Sequence, residues 1–365
     1  MDIKNICLEF PEIAPFSPKD QTDIDVLFSS SPMRLAGLNL VYERSPDFMA
    51  LLRAQGGEQV SLVGRHNSQL FGLASFSFSK RFIGGKVQNV GYLGDMRIQP
   101  SKLSTRLWRD AYPKLLRSGN SYFYTAILSQ NELAKRSLVK QKRDSGFRYD
   151  FLKKVRMINL LMKKPWARVR SNFFVRNAQD ADQKSVKEFL DNFNRKLHLG
   201  YCFKEFEWDH RKSNWPNWCF EDFLIIERNN NILAVTLPWA PTTIKRMKIN
   251  HCPSTLRVTN LFSKLLGAKS LVVGESLSTL YLTHFAWDSS IKCHEAADAF
   301  ITYLSSSGVF KRHNFVSYAE QDLSEPPAKS FFSFSLDVDL YSVRLTDQSV
   351  RQPIDSLIGF EMATV

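Results

Sequence analysis

The sequence predicts an α/β fold built on mixed sheets and divided into two consecutive domains, and three observations predict it. A chain of 365 residues exceeds what a single core comfortably covers, so length suggests about two domains. Its first half runs hairpin, strand, helix, strand, helix, strand. A strand–helix–strand step implies a parallel pair joined by a right-handed crossover. The same order then restarts after Pro165. The expected division is 1–164, 165–345 and a C-terminal tail, 346–365.

Each element has a local reason. Residues 1–30 show no strong periodicity. Val60-Ser-Leu-Val and Phe71-Gly-Leu-Ala-Ser-Phe-Ser-Phe-Ser read as strands, the second with alternating apolar positions, joined by a turn over 65–68. Gly84-Gly85 supplies positive φ for the next turn, and residues 90–98 form a third strand. Pro100-Ser101 opens a helix to about residue 117, with Leu103, Leu107, Ala111 and Leu115 on one face. Residues 122–128 return as a strand, 131–139 are helical, and Ser145-Gly146 breaks that helix before a strand over 151–161. In the second half, strands are expected over 223–227, 232–237, 280–287 and 315–319. Helices are expected over 180–193 and 293–305, and one or two closing strands over 331–343.

Composition narrows the function classes. With 44% hydrophobic residues and 28 Phe the chain has ample material for packed cores. Five scattered cysteines without a Cys-x-x-Cys pair argue against a disulfide framework or a structural zinc site. The histidines lack metal spacing, so no metal is expected. No basic start leads into an apolar run, and no stretch has the roughly 20 apolar residues of a membrane helix. A cytoplasmic protein without membrane insertion is the expectation.

The net charge of +13 is concentrated. Residues 135–170 hold thirteen Lys or Arg against Asp144 and Asp150, a local balance of +11 that leaves the remainder nearly neutral. Solvated helix and strand faces account for such a run, and so would a site for a phosphorylated cofactor or a nucleic acid. Apolar Val155, Met157 and Ile158 interrupt it, which suits a strand with one buried face. Nucleic acid is therefore not expected as a partner.

The most informative stretch is Val90-Gly-Tyr-Leu-Gly-Asp-Met-Arg-Ile-Gln-Pro-Ser, its helix, and Tyr124-Thr-Ala-Ile-Leu-Ser-Gln-Asn-Glu-Leu-Ala. It resembles the central part of the GNAT superfamily of acyl-CoA-dependent N-acyltransferases. Ile98-Gln-Pro100 stands where that family has a Val-x-Pro-like step, Asn131-Glu-Leu-Ala134 where it has Asn-x-x-Ala, and Gly146-Phe147 where it has Gly-Phe. The resemblance covers most of 34–162, with a weaker copy over about 172–343.

The resemblance implies two tandem domains of this fold. It also implies acetyl-CoA or another acyl-CoA as co-substrate in the first domain, and direct attack of an amine on the thioester. Met96 and Ile98 would lie beside the pantetheine arm, with Asn131 across from them. Ser101, Ser104, Thr105 and Arg106 would meet the pyrophosphate at a helix N-terminus, whose free N–H groups suit an anion. Asp95 would deprotonate the amine through water, or else serve as a structural partner of Arg97 or an N–H cap.

The sequence also departs from the family. Its glycine-rich fingerprint is replaced by Leu103, Arg106 and Trp108, or in a shifted register by Lys102, Thr105 and Leu107. Leu138 stands where a general-acid tyrosine is common. The Ser289-Ser-Ile-Lys-Cys-His-Glu stretch after Asp288 has no glycine, so the second domain is expected to hold no cofactor.

Two features outside the resemblance stay open. His284 reads as a base or as a satisfied core histidine. Trp208, Trp215, Trp218 and Trp239 read as core or as a stacking wall for a substrate. The leading function is N-acyl transfer, with acetyl the expected group, to a small-molecule or protein amine. The alternatives are a catalytically silent binding protein on this fold and an aminoacyl-tRNA-dependent transferase of the Fem type.

Overall fold

The computed structural model describes every residue except 1, 36–37, 100, 120, 141–144, 162–172, 252–268 and 321–332, with backbone alone at 34, 35 and 310. Pro100, Lys142, Arg143 and the expected domain junction around Pro165 lie outside the described residues.

The strands are β1 (Ile13–Pro15), β2 (Met33–Leu35), β3 (Leu38–Glu43), β4 (Glu58–His66), β5 (Gln69–Ile83), β6 (Lys86–Ile98), β7 (Tyr122–Leu128) and β8 (Phe147–Leu161). There follow β9 (Phe174–Asn177), β10 (Gly200–Tyr201), β11 (Leu224–Arg228), β12 (Asn231–Trp239), β13 (Arg246–His251), β14 (Ser276–Leu277), β15 (Thr279–Trp287), β16 (Phe315–Glu320) and β17 (Ser333–Leu345). The helices are α1 (Ile3–Glu9), α2 (Gln21–Ser29), α3 (Met49–Gln55), α4 (Lys102–Gly119), α5 (Glu132–Ala134), α6 (Gln183–Arg195), α7 (Trp208–Asn214) and α8 (Cys293–Ser306).

Among the described residues thirteen strands form one sheet, in the order β1-β4-β5-β6-β7-β17-β8-β16-β15-β12-β11-β9, with β10 paired to β5. Four more form a small sheet, β14-β13-β3-β2. The large sheet runs unbroken across the middle of the chain. Strand β17, last in sequence, lies between β7 and β8, with Val338–Val343 opposite Leu128–Phe123. The far end of β8, Arg156–Leu161, pairs in turn with β16. Each half thus lends its last long strand to the neighbouring half.

Helix α4 buries Leu107, Trp108, Ala111 and Leu115 against one face of the first half. In the second half α8 does the same with Ala296, Ala297, Phe300 and Leu304. On the opposite face the small sheet closes over the centre of the large one. Leu38, Leu40 and Ile249 share a core there with Met157, Leu237, Tyr281 and Leu336. The stretch 346–365 is packed, not loose: Ile358, Phe360 and Ala363 are buried. Among the described residues no helix is long and apolar enough to cross a membrane.

Candidate active site

The site begins with a fault in β6. Leu73 pairs with Arg97 and Ser75 with Gly94, so Asp95 and Met96 together oppose Ala74. One extra residue makes a β-bulge, and Asp95 takes the left-handed φ of 50° that this requires. Strand β7 also diverges. It pairs in parallel with β6 only at Val90, Gly91 and Tyr92, and Thr125 Oγ1 then donates to the Leu93 carbonyl at 2.7 Å. Beyond Leu93 that edge of β6 faces a gap. A cavity of about 20 Å³ lies there, lined by Gly94, Met96, Thr125, Leu138 and the rings of Tyr112 and Tyr149. That is room for about one water molecule. Met96 lines the cavity, while Ile98 packs against the core of the first half.

The start of α4 is occupied by its own serines. Ser101 Oγ accepts from Ser104 N–H at 3.0 Å, and Ser104 Oγ accepts from Ser101 N–H at 3.1 Å. Ser104 Oγ also lies 2.7 Å from the Gln99 carbonyl, and its side chain is buried. Reciprocal capping of this kind satisfies first-turn groups from within. Thr105 and Arg106 are exposed on the next turn. Asn131 caps α5, accepting from Ala134 N–H at 3.1 Å, and is exposed. Past Tyr92 that edge of β6 has no ladder pairing with β7 among the described residues. The start of α4 does not reproduce a glycine cradle for phosphates.

Sequence reasoning missed the cluster on the other face of β6. Asp95 pairs with Arg44, the residue after β3, and not with Arg97, at 3.0 Å, with Arg44 buried and Asp95 partly so. Arg97 lays its guanidinium 4.2 Å from the centre of the Phe28 ring. Beside them lies Lys245, 6% exposed, its Nζ between the rings of Tyr42 and Tyr281 and donating to the main-chain oxygen of Val365. Burial, and then the nearby Arg44 charge, push the Lys245 amine down to about 7. Lys245 and Tyr42 line a cavity of about 110 Å³ between the two sheets, with Met157, Met247, Phe315 and Leu336. No local signal marks Lys245 in the sequence, because its burial depends on β3 and β15, both distant in the chain.

The second half repeats the plan of β6 in β15. Val235 pairs with Ala286 and Leu237 with Thr283, so His284 and Phe285 form a bulge, and His284 has a φ of 51°. Strand β16 pairs with β15 only at Thr279, Leu280 and Tyr281. Here the chain's own Ile358, Gly359, Phe360, Glu361 and Met362 line the gap, around a cavity of about 50 Å³. Glu361 Oε2 accepts from His284 N–H at 3.3 Å. Burial and the Arg211 charge hold the imidazole neutral, well below its ordinary pKa. Arg211, 1% exposed, is bound by Glu207 at 3.0 Å and Glu361 at 3.2 Å. His284 is therefore a satisfied core histidine. The tryptophans are core as well: Trp215 stacks on Trp239 at 4.1 Å, and Trp208 packs on Phe220 and Phe223.

The basic run is largely paired where it is described. Lys135 meets Asp339 at 2.8 Å, Lys154 and Arg156 both meet Asp337 at 3.6 Å, and Lys153 donates to the carbonyls of Asp355 and Ser356. The opposing carboxylates come from β17, nearly two hundred residues downstream.

No family model and no curated relative matches this sequence. Solved structures do match. N-myristoyltransferase of Saccharomyces cerevisiae with bound myristoyl-CoA superimposes with a TM-score of 0.54 at 12% identity, over 91% of this chain and 83% of that one. The same enzyme with myristoyl-CoA and inhibitors gives a TM-score of 0.56 at 11% identity, over 97% and 83%. The chain shares the fold of N-myristoyltransferase. At such low identity the likeness extends to the fold alone. It bears out the expected α/β architecture built on mixed sheets. Both halves take part, since the superposition spans nearly the whole chain.

Proposed function

We propose that this chain is an acyl-CoA-dependent N-acyltransferase whose first half, residues 1–164, holds the thioester, and whose acceptor amine enters from the cavity between the two sheets. The observation that carries the reading is the bulged, splayed β6. Its free edge offers backbone groups to an amide-rich pantetheine arm on one side, and a buried lysine stands behind the bulge. The amine nitrogen attacks the thioester carbon, the tetrahedral intermediate collapses with loss of the C–S bond, and the product is an amide plus CoA thiol. Holding amine and thioester together supplies much of the rate. Lys245, with its amine pushed down to about 7, accepts the amine's proton and passes one to the departing thiolate. In this reading Asp95 holds Arg44 in place and is not itself the base.

The tight space around Tyr112 and Tyr149 favours a short acyl group such as acetyl. Residues 165–345 serve as the acceptor-side half without a cofactor, since the equivalent gap along β15 holds the chain's own Ile358–Met362 segment. Charge pairing with Asp337 and Asp339 supports leaving nucleic acid out of the reading. A second reading, a catalytically silent binding protein, is favoured by one observation: the mutual capping of Ser101 and Ser104.

Calorimetric titration with acetyl-CoA, CoA and longer acyl-CoAs tests the proposal. Binding is expected for acetyl-CoA, and Arg106→Glu should weaken it about tenfold by loss of a charged contact. Turnover should rise with pH to a plateau above about 7, and Lys245→Met should remove that limb. Absence of heat with every thioester would leave the silent reading.

A further inference from the structure

The polar cluster behind the β6 bulge is short of negative charge. Among the described residues Asp95 is the carboxylate that meets this pair of arginines, and it bonds Arg44, Nη2 to Oδ1 at 3.0 Å, and not Arg97. Arg44 is only 4% exposed, yet its Nε and Nη1 are buried without a hydrogen-bond partner among the described residues. Arg97 Nε and Asp95 Oδ2 are likewise unpartnered and buried. Among the described residues, Arg97 otherwise donates a long 3.4 Å bond to the Ser31 carbonyl. A buried guanidinium with idle N–H groups costs free energy unless something fills them. Such a group persists where a ligand completes it.

We propose that Arg44 and Arg97, flanking Asp95 at the bulge of β6, form a binding site for a carboxylate carried by the amine acceptor. Three features select that chemistry. Within the cluster itself, two guanidinium groups and one aspartate leave a single positive charge, which one monoanion balances and a dianionic phosphate would overshoot. Guanidinium N–H groups match carboxylate geometry. Tyr42 and Lys245, which neighbour the cluster, also line the cavity between the sheets, whose other walls are largely apolar (Met33, Met157, Met247, Phe315, Leu336), so an acceptor reaching both joins a greasy body to one anionic head. An amino-acid-like amine fits this description, and the surrounding cations disfavour its ammonium form. The same environment therefore delivers the amine deprotonated.

The word acceptor rests on the acyltransferase reading. The site itself does not, so its test is binding in the absence of any thioester. The probes are 3-phenylpropanoate and 3-phenylpropanamide, which differ only in charge, followed by calorimetry and by shift of the melting temperature. The carboxylate should bind at least about tenfold more tightly than the amide, as for a charge-assisted contact. Arg97→Met should cost about tenfold in carboxylate affinity while leaving the amide unchanged. Its circular dichroism should stay native, because Asp95 keeps Arg44. Arg44→Met should abolish the preference. Equal affinity for the two probes, unchanged carboxylate binding in folded Arg97→Met, or equally effective displacement by sulfate would overturn the assignment. If acetyl-CoA fails to bind while the carboxylate preference stands, the acyltransferase reading falls and the anion site survives.

Discussion

Strands β6 and β15 occupy corresponding places in the two halves of the large sheet, and they differ in what faces them. Each pairs in parallel with its neighbour over three residues only, starting at Val90 and at Thr279. Each carries a left-handed residue five positions further on, Asp95 with φ 50° and His284 with φ 51°. Along β15 most of the polar demand is met from within: Glu361 takes the His284 N–H, and Arg211 has two carboxylates, with Glu207 Oε1 left without a partner among the described residues. Along β6 the corresponding groups stay open, with unpartnered guanidinium N–H groups and a lysine pushed down to about 7. One backbone plan thus serves stability in the second half and leaves a strained polar surface in the first. Uncompensated charge of this kind is characteristic of functional sites.

The contrast predicts opposite responses to losing a cation. Arg211→Met would leave Glu207, with its side chain 2% exposed, and Glu361 without their shared partner. Breaking a buried pair from one side costs about 3–5 kcal/mol, the largest effect expected. Urea unfolding followed by circular dichroism measures it, and a loss under about 1 kcal/mol would erase the distinction between the halves.

Lys245→Met should act the other way. The folded lysine is shifted from 10.5 down to about 7, so below that pH it is charged in both states and the fold bears the full cost. Between about 7 and 10.5 the unfolded chain holds the extra proton, and wild-type stability rises with pH. The variant should therefore gain on the order of 2–4 kcal/mol at its largest, near or below neutrality, reduced by the lost bond to Val365. The advantage should shrink to nothing toward the ordinary lysine pKa. Unfolding free energies of both proteins across that range check the sign, and a variant less stable at every pH would sink it.

How much of this was legible in the sequence follows from the range of the interactions. Strands β4 to β8 and helix α4 were readable because alternation and an apolar stripe are local patterns. The helices at 3–9 and 21–29 were missed for want of a periodic signal, and so was the small sheet. Its strands are short, and β13 finds β3 across some two hundred residues. The insertion of β17 between β7 and β8 is likewise non-local, so a boundary at 164 could be proposed but the exchange across it could not. Asp95 stood out as a charge inside an apolar strand. Its expected partner, Arg97, was two residues away, whereas the observed one, Arg44, follows a strand of the small sheet, some fifty residues back. Lys245 left no trace, since a lysine after Pro-Thr-Thr-Ile reads as solvated until Tyr42 and Tyr281 close over it.

The smallest effect expected concerns the basic run, where the two halves meet. A polyanion track would need cations free to release counterions, and affinity would then fall with salt in proportion to the phosphates contacted. Lys135, Lys154 and Arg156 are instead matched by Asp337 and Asp339 of β17. Alternate residues of β8, Val155 and Met157, turn into the core, so the remaining charges cannot form a continuous line. Bulk tRNA in filter binding should therefore show weak retention that vanishes by about 0.15 M salt, with a shallow slope. Substituting Asp337 and Asp339 together by Asn would free those cations and should steepen the slope by about two phosphates' worth. Micromolar retention by the wild type at physiological salt would mean that the carboxylates of β17 do not neutralise this face. The aminoacyl-tRNA-dependent reading of the same fold would then take precedence over the acyl-CoA one.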